Sequence, residues 1–375
     1  MNLVGRFGIY SVAGTITLMP LLVLPALVGV LVDESTLSEA QAGWAASIGF
    51  LGSALIALVM AFRMHHLDLR ITAMLAFGFA MIGDAVSGFL VDHVFIFMGL
   101  RFLTGIGAGA AYTAVVAAFA RGPHTDRGFG LFITLQFIVS GIGLYLLPVY
   151  GSVLNVKGVY LGFALLNLCG LFLSHWLPRE APARSIGRVL KSELNVLLAR
   201  ATIFGCLGFA IFEAANMAQF TYVERFGVSL ALQDQQLGLA MLTGSLAGIP
   251  GAFAIVLMGS RFGRIGPLAV GIAIAVFGLL IMISATGFST YLTGSVLLGF
   301  SWAFCLPFIQ GLLAALDRHG SAVAAGSASS TLGGSVGPGL AALVVGQGNY
   351  HVVFYFALAL LLVSLLSFML TRSRR

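Results

Sequence analysis

Apolar runs of about twenty residues follow one another along nearly the whole chain, each closed by a short stretch of polar or charged positions. About 20 apolar residues in a helix cross the ~30 Å hydrocarbon core of a bilayer, so each run is a candidate membrane span. The pattern predicts twelve, at approximately 8–32, 38–61, 71–91, 94–120, 127–150, 158–178, 200–223, 234–258, 265–286, 289–316, 321–346 and 350–371. Ser38, with Gln41 three residues later, has the form of a capping box opening the second span. Pro20, Pro25, Pro148, Pro250, Pro307 and Pro338 fall inside predicted spans. They are expected to bend them, which membrane helices tolerate because neighbours satisfy the freed backbone groups.

Composition excludes the soluble alternative. Hydrophobic residues make up 59% of the 375, charged residues 9%, and mean hydropathy is +1.04; the expected class is an all-α polytopic membrane protein. Cys169, Cys206 and Cys305 lie within apolar segments and read as small buried residues. The opening apolar run continues to Val32 with no small-residue cleavage site before Asp33, so it reads as the first span and not as a signal peptide.

With a cytoplasmic N-terminus, the predicted spans leave only Lys157 and Arg225 outside and place the other connecting Lys and Arg residues inside. The positive-inside rule then puts both termini in the cytoplasm, as in a bacterial-type inner (plasma) membrane. Topology accounts for the net charge of +6 without a nucleic-acid partner.

The longest polar interruption divides the spans six and six. The expected organisation is an N-terminal six-helix bundle over residues 1–178, a cytoplasmic linker over 179–199 lying on the anionic leaflet, and a C-terminal six-helix bundle over 200–375. Shifting the chain by about 195 residues lays Leu37, Gln41, Gly43 and Gly49 on Leu232, Gln236, Gly238 and Gly244, and a slip of one lays Gly105 on Gly299 and Gly143 on Gly337. Two pseudo-symmetric bundles are the organisation of many secondary transporters.

Within the fourth span, Arg101, Gly105 and Gly109 follow at a spacing of four, on one helix face that lacks side chains below the arginine. Arg261-Phe-Gly263-Arg264 follows the eighth span. Arg63-Met-His65-His66-Leu-Asp68-Leu-Arg70 stands at the matching place after the second, and Gly333-Gly-Ser-Val-Gly337-Pro338 lies in the eleventh. On these residues the whole chain resembles the major facilitator superfamily (MFS). That family has a glycine- and arginine-rich signature in those two loops, here degraded in its first copy, and a fourth-span arginine followed by small residues. Its drug-proton antiporters carry a glycine-proline signature in the fifth span. Here the fifth span has only Ser140-Gly-Ile-Gly143 with Pro148 later, which weakens a drug-exporter reading. The resemblance implies twelve helices in two bundles, gate loops at Arg63, His65, His66, Asp68, Arg70, Arg261, Gly263 and Arg264, and a cavity lined by the first, fourth, seventh and tenth spans. Gly105, Gly109, Gly337 and Pro338 read as helix-packing positions.

Three charged residues fall well inside the predicted spans: Asp84, Arg101 and Glu213. Intramembrane charges are costly and tend to be paired and functional. Asp84 and Arg101 each lie eight or nine residues from the turn near Asp92-His93, hence both ~13 Å from it, so an ion pair is available. Such a pair either fixes the third span to the fourth or belongs to a proton or gating relay. Glu213 has no evident basic partner and shares a face with Asn216 and Phe220. A lone carboxyl in a low-dielectric cavity is a proton-exchange candidate, and the alternative is an inert carboxyl hydrogen-bonded to Asn216 or backbone. Arg101, Tyr10, Thr15, Tyr112, Asn216, Trp302 and Gln310 are candidate substrate contacts, with ordinary packing the competing reading for each.

Gly105-Ile-Gly-Ala-Gly109 follows no strand and is not a dinucleotide loop. Adjacent His65 and His66 lack metal-ligand spacing; as loop residues they are open to a pH-sensing role. No metal, cofactor or enzymatic active site is expected. The favoured expectation is a monomeric secondary active transporter working by alternating access, with Arg101 attracting an organic anion or similar metabolite and Glu213 carrying a symported proton. Its partners are then a small-molecule substrate, protons and membrane lipids. A proton-coupled exporter of drugs or hydrophobic compounds is the alternative within transport. A lipid- or lysolipid-moving or sensory membrane protein is the alternative outside it.

Overall fold

A computed structural model describes residues 3–63, 67–119, 125–179, 196–258, 263–316, 321–346 and 348–371. His65, His66, Arg261 and most of the 179–199 linker lie outside the described residues. Within them the chain is helical with no strand. It divides into two compact units, Met1–Ile186 and Gly187–Arg375.

The first unit contains α1 (Leu3–Thr17), α2 (Met19–Leu22), α3 (Leu24–Asp33), α4 (Glu39–Arg63), α5 (Leu69–Ser87), α6 (Val94–Phe119) and α7 (Thr125–Leu173). The second contains α8 (Arg200–Ser229), α9 (Asp234–Met258), α10 (Ile265–Ile283), α11 (Phe288–Ala314), α12 (Ser321–Val345) and α13 (Tyr350–Met369). Ten of these helices are long and apolar enough to span a membrane, and α1 and α3 are shorter apolar helices.

Two elements differ from the predicted spans. The first span is not a bent rod but three pieces, interrupted at Leu18 and Val23. Pro20 and Pro25 fall in the first turns of α2 and α3, where a missing N–H breaks no helical bond. Hydroxyls serve the backbone there: Thr17 donates to the Gly14 carbonyl at 2.7 Å and Ser140 of α7 to that of Leu22 at 2.7 Å. The other four prolines remain inside continuous helices. The seventh span runs on past residue 223 to Ser229.

The predicted fifth and sixth spans are the arms 125–154 and 156–173 of α7, separated at Asn155 with φ 50° and ψ 176°. Positive φ with extended ψ is a region that glycine enters far more readily than any other residue, so the turn holds Asn155 in a strained conformation. Its Oδ1 accepts the Gly158 N–H at 3.1 Å and so caps the second arm. With the first span counted as one traverse and α7 as two, twelve apolar traverses result, matching the number read from the sequence.

The halves pack by the same scheme. In the first unit α4 lies on α6, α5 on α6 and α7, and α1–α3 on α7; in the second α9 lies on α11, α10 on α11 and α13, and α12 on α8. The repeat extends to single contacts. The Ser38 N–H donates to Gln41 Oε1 at 2.9 Å, completing the box with Gln41 N–H to Ser38 Oγ at 3.3 Å, and the Gln233 N–H donates to Gln236 Oε1 at 3.1 Å. A Cβ on Gly105 would collide with the Gly49 carbonyl, and a Cβ on Gly299 with the Gly244 carbonyl. These crossings bring backbone to backbone, and Ser53 adds a hydrogen bond to the Gly105 carbonyl at 2.8 Å. Gly109 sits against Ser53, its Cβ position 2.6 Å from the Ser53 Cα.

Candidate functional site

Polar clusters are buried in the apolar helices of both units. In the first, α6 presents Arg101 and α5 presents Asp84, with Arg101 Nη1 donating to Asp84 Oδ1 at 3.0 Å. The short turn after α5 sets the two residues at one depth, as their equal distances from it predict. The second carboxylate oxygen accepts from Asn167 Nδ2 at 2.8 Å, and that amide also donates to the Phe163 carbonyl at 3.0 Å. Arg101 Nη2 donates to Ser87 Oγ and to Thr104 Oγ1 at 3.3 Å. The Cζ lies 4.4 Å from the Tyr160 ring centroid and 5.5 Å from that of Phe97, cation–π distances. Tyr160 and Phe97 meet edge to face at 5.7 Å.

Arg101 is therefore enclosed by α5, its own helix and the second arm of α7, with 7% of its surface exposed. Charge-assisted hydrogen bonds compensate for its desolvation. Asn167 and Tyr160 were absent from the residues expected here.

In the second unit Glu213 of α8 is buried, and its Oε2 accepts from the Trp302 indole N–H on α11 at 3.3 Å. Asn216 takes no part: its Nδ2 donates to the Phe212 carbonyl at 2.8 Å, the bond one turn back along its own helix. No cation pairs with Glu213 among the described residues. The glycine-proline stretch of α12 packs around the same turn. A Cβ on Gly333 would meet Ala210, and one on Gly337 would lie 2.7 Å from the Ala214 carbonyl and 2.8 Å from the Met217 Cβ. Pro338 is buried beside it.

The remaining candidates are dispersed. Tyr10 and Tyr112 belong to an aromatic group in the first unit, against Phe119 at 5.6 Å and Phe132 at 6.2 Å. Thr15 donates to the Ser11 carbonyl at 2.8 Å, and Gln310 is exposed on α11. Among the loop candidates, Arg63, Gly263 and Arg264 are exposed, and Gly263 has φ 68°. Asp68 caps α5 by accepting the Ile71 N–H at 3.0 Å. The next two residues fasten the segment after α7: Leu69 N–H donates to the Arg179 carbonyl at 2.9 Å and Arg70 Nε to that of Leu177 at 3.1 Å.

Hydropathy placed Glu224 and Arg225 at the edge of a span. Because α8 continues to Ser229, both are buried within it, with Arg225 Nε donating to Glu224 Oε2 at 2.8 Å and Nη2 to Oε1 at 3.2 Å. Arg225 is thus no exposed outer-loop charge.

A family model described as Major Facilitator Superfamily matches residues 7–316. Similar curated proteins include a protein of Escherichia coli (strain UTI89 / UPEC) described as the uncharacterized MFS-type transporter YcaD, 23% identical over 341 residues that cover 88% of this chain and 87% of that one. Its counterpart from Salmonella arizonae is 22% identical with the same coverage. Among solved structures, the nucleoside transporter NupG superposes with a TM-score of 0.78 at 13% identity, covering 99% of this chain and all of the other. A D-xylose-proton symporter gives 0.76 at 16% identity, with 97% of each chain covered.

Proposed function

The chain belongs to the major facilitator superfamily and is a secondary transporter, not an enzyme, and on that premise we propose that it couples movement of a small organic solute to protons through Glu213. The observation that carries this reading is the pairing of the intramembrane charges. Asp84 has Arg101 and Glu224 has Arg225, whereas the buried Glu213 has a neutral indole donor and, among the described residues, no cation. A carboxylate left uncompensated in apolar surroundings is costly, and taking up a proton neutralises it. Alternating access by a monomer, with both termini cytoplasmic, completes the proposal.

The enclosure of Arg101 bears on the solute. Its charge is met by Asp84 and covered by Tyr160 and Phe97, which favours a role inside the first unit over direct attraction of an anion. Proton-coupled export of lipophilic cations is the second reading, supported by the Trp302 ring system beside an acid, a pairing that suits an organic cation.

Purified protein in liposomes with a pH-sensitive dye inside tests the coupling, with carboxylates, nucleosides, sugars and lipophilic cations as probes. One probe class is expected to move protons with wild type. Glu213→Gln is expected to abolish that proton flux while solute exchange without a gradient persists. Proton flux that survives in Glu213→Gln removes Glu213 from the coupling.

A further inference from the structure

We propose that the break in the first traverse is a solute-binding site of this transporter, where the main-chain carbonyls of Ile16 and Thr17 accept hydrogen bonds from hydroxyl or N–H groups of a neutral solute. This inference rests on the transporter reading and names a solute class for it, but it does not depend on Glu213 carrying the proton.

The break lies at mid-span and is open. The helices α1–α3 together run from Leu3 to Asp33, and the interruptions at Leu18 and Val23 stand near the middle. Residues 13–17 and 23–31 are buried, whereas residues 18–22 are each half-buried. Interrupted backbone at membrane depth is stable only inside protein or against water, because lipid offers it no hydrogen bonds. Half-buried and interrupted, the stretch is therefore the wall of an aqueous cavity and not a lipid-facing surface. That opening is the way in for a solute.

Hydrogen-bond accounting picks out two carbonyls. The last four of a helix have no partner within it. In α1, that of Gly14 is taken by the Thr17 hydroxyl at 2.7 Å and that of Thr15 by the Leu18 N–H at 3.1 Å. A continued helix would give Ile16 the N–H of residue 20, but Pro20 has none. It would give Thr17 the N–H of Leu21, which donates instead to the Leu18 carbonyl at 2.9 Å. Helix carbonyls point toward the C-terminal end, so those of Ile16 and Thr17 point at the half-buried stretch.

These acceptors set the ligand class. Carbonyls at the negative end of a 15-residue helix repel a carboxylate and accept O–H or N–H groups. From Phe7 to Val32 the sequence has no Asp, Glu, Lys, Arg or His, so a full positive charge finds no counter-ion on this traverse, which favours a neutral donor.

The internal repeat sets this break against the acid of the second unit. Ser140 donates to the Leu22 carbonyl, and the Cβ position of Gly334 lies 3.7 Å from the Met217 Cγ. Residues 22 and 217 differ by the 195 that lays Leu37 on Leu232, and 140 and 334 by the 194 that lays Gly143 on Gly337. The same shift makes Leu18 the counterpart of Glu213. There α8 runs unbroken and carries a carboxyl, whereas the first traverse offers bare main chain. Discontinuous helices that present carbonyls at mid-membrane are a recurring binding device of transporters.

Labelling of the full-length protein in liposomes tests the site, in a background carrying Cys169→Ser, Cys206→Ser and Cys305→Ser, with a charged methanethiosulfonate on both sides. Leu18→Cys, Met19→Cys and Leu21→Cys are expected to react roughly tenfold or more faster than Ile82→Cys, which is 60% exposed on the continuous α5, because a thiol in apolar surroundings stays protonated. Uridine, methyl glucoside and nicotinamide are the probes, each beside a counterpart methylated at every O–H and N–H. At least one is expected to slow labelling of Leu18→Cys where its methylated counterpart does not. Pro20→Ala, combined with Leu18→Cys, returns an N–H to the Ile16 carbonyl and is expected to raise the half-protecting concentration roughly tenfold without lowering the unfolding midpoint. A merely structural proline would move the midpoint and leave the protection unchanged. The proposal is overturned if the three positions label no faster than Ile82→Cys, if no probe is distinguished from its methylated counterpart, or if Pro20→Ala leaves protection unchanged. Labelling is read without a proton gradient, so its failure leaves the role of Glu213 standing.

Discussion

Arg101 and Asp84, 17 residues apart in sequence, meet at 3.0 Å inside the first unit, and Asn167, 83 residues from Asp84, holds the other carboxylate oxygen at 2.8 Å. Three traverses are joined through one carboxylate. Removing one partner of such a pair leaves a buried charge, at about 3–5 kcal/mol, whereas removing both costs much less. Asp84→Leu and Arg101→Leu are each expected to lower the unfolding midpoint in detergent sharply, and the double variant to recover most of the loss. Additive losses in the double variant would show that the contact carries no coupling.

Trp302→Phe keeps the ring and deletes the donor to Glu213. The expected loss is about 1–3 kcal/mol of stability, the range for a hydrogen bond to a buried acid. In Glu213→Leu the acceptor of this bond is already gone, so adding Trp302→Phe to it should cost less than it does alone. A double-mutant cycle by denaturant or thermal unfolding measures the difference.

Asn155 is left-handed, and its side chain caps the second arm of α7. Asn155→Gly keeps the backbone and loses the cap, for an expected change within about 1 kcal/mol. Asn155→Val imposes a β-branched residue on that conformation and should cost about 1–3 kcal/mol more. Equal stabilities for the two variants would mean that the turn opens to relieve the strain.

Gly105→Ala and Gly299→Ala each place a methyl group against a backbone carbonyl of the facing helix. Overpacking of this kind costs about 1–3 kcal/mol. Gly162→Ala, with nothing within 4 Å of its Cβ position, is the control and should be neutral or slightly stabilising. Unfolding of the three variants in parallel separates crowding from any general intolerance of alanine.

Local pattern made much of this legible. Twelve traverses follow from the apolar runs, and the Asp84–Arg101 contact follows from equal distances to one short turn. What local pattern does not reach is partnership over long separations. From the second arm of α7, Asn167 comes to Asp84 and Tyr160 to Arg101, and Trp302 comes to Glu213 across 89 residues. No spacing rule joins such positions; helix packing does. Arg225 was misplaced for a different reason: two adjacent charges lower the hydropathy of a window enough to end a span, although pairing lets α8 carry them onward. The broken first span has a similar cause, since Pro20 and Pro25 mark the place of a disturbance and do not distinguish a bend from a break.

The two glycine crossings also explain why the halves of the chain still resemble each other where they do. A side chain that clashes with another side chain can be accommodated by a compensating change in its neighbour. Gly105 and Gly299 face main-chain carbonyls, those of Gly49 and Gly244, and a carbonyl has no smaller form to mutate to. If the halves descend from one duplicated ancestor, drift is free to rewrite their surfaces and pair off their core residues anew, but it has no two-step path around these two glycines. They are where a common origin is expected to stay readable longest, after the rest of the two bundles has diverged.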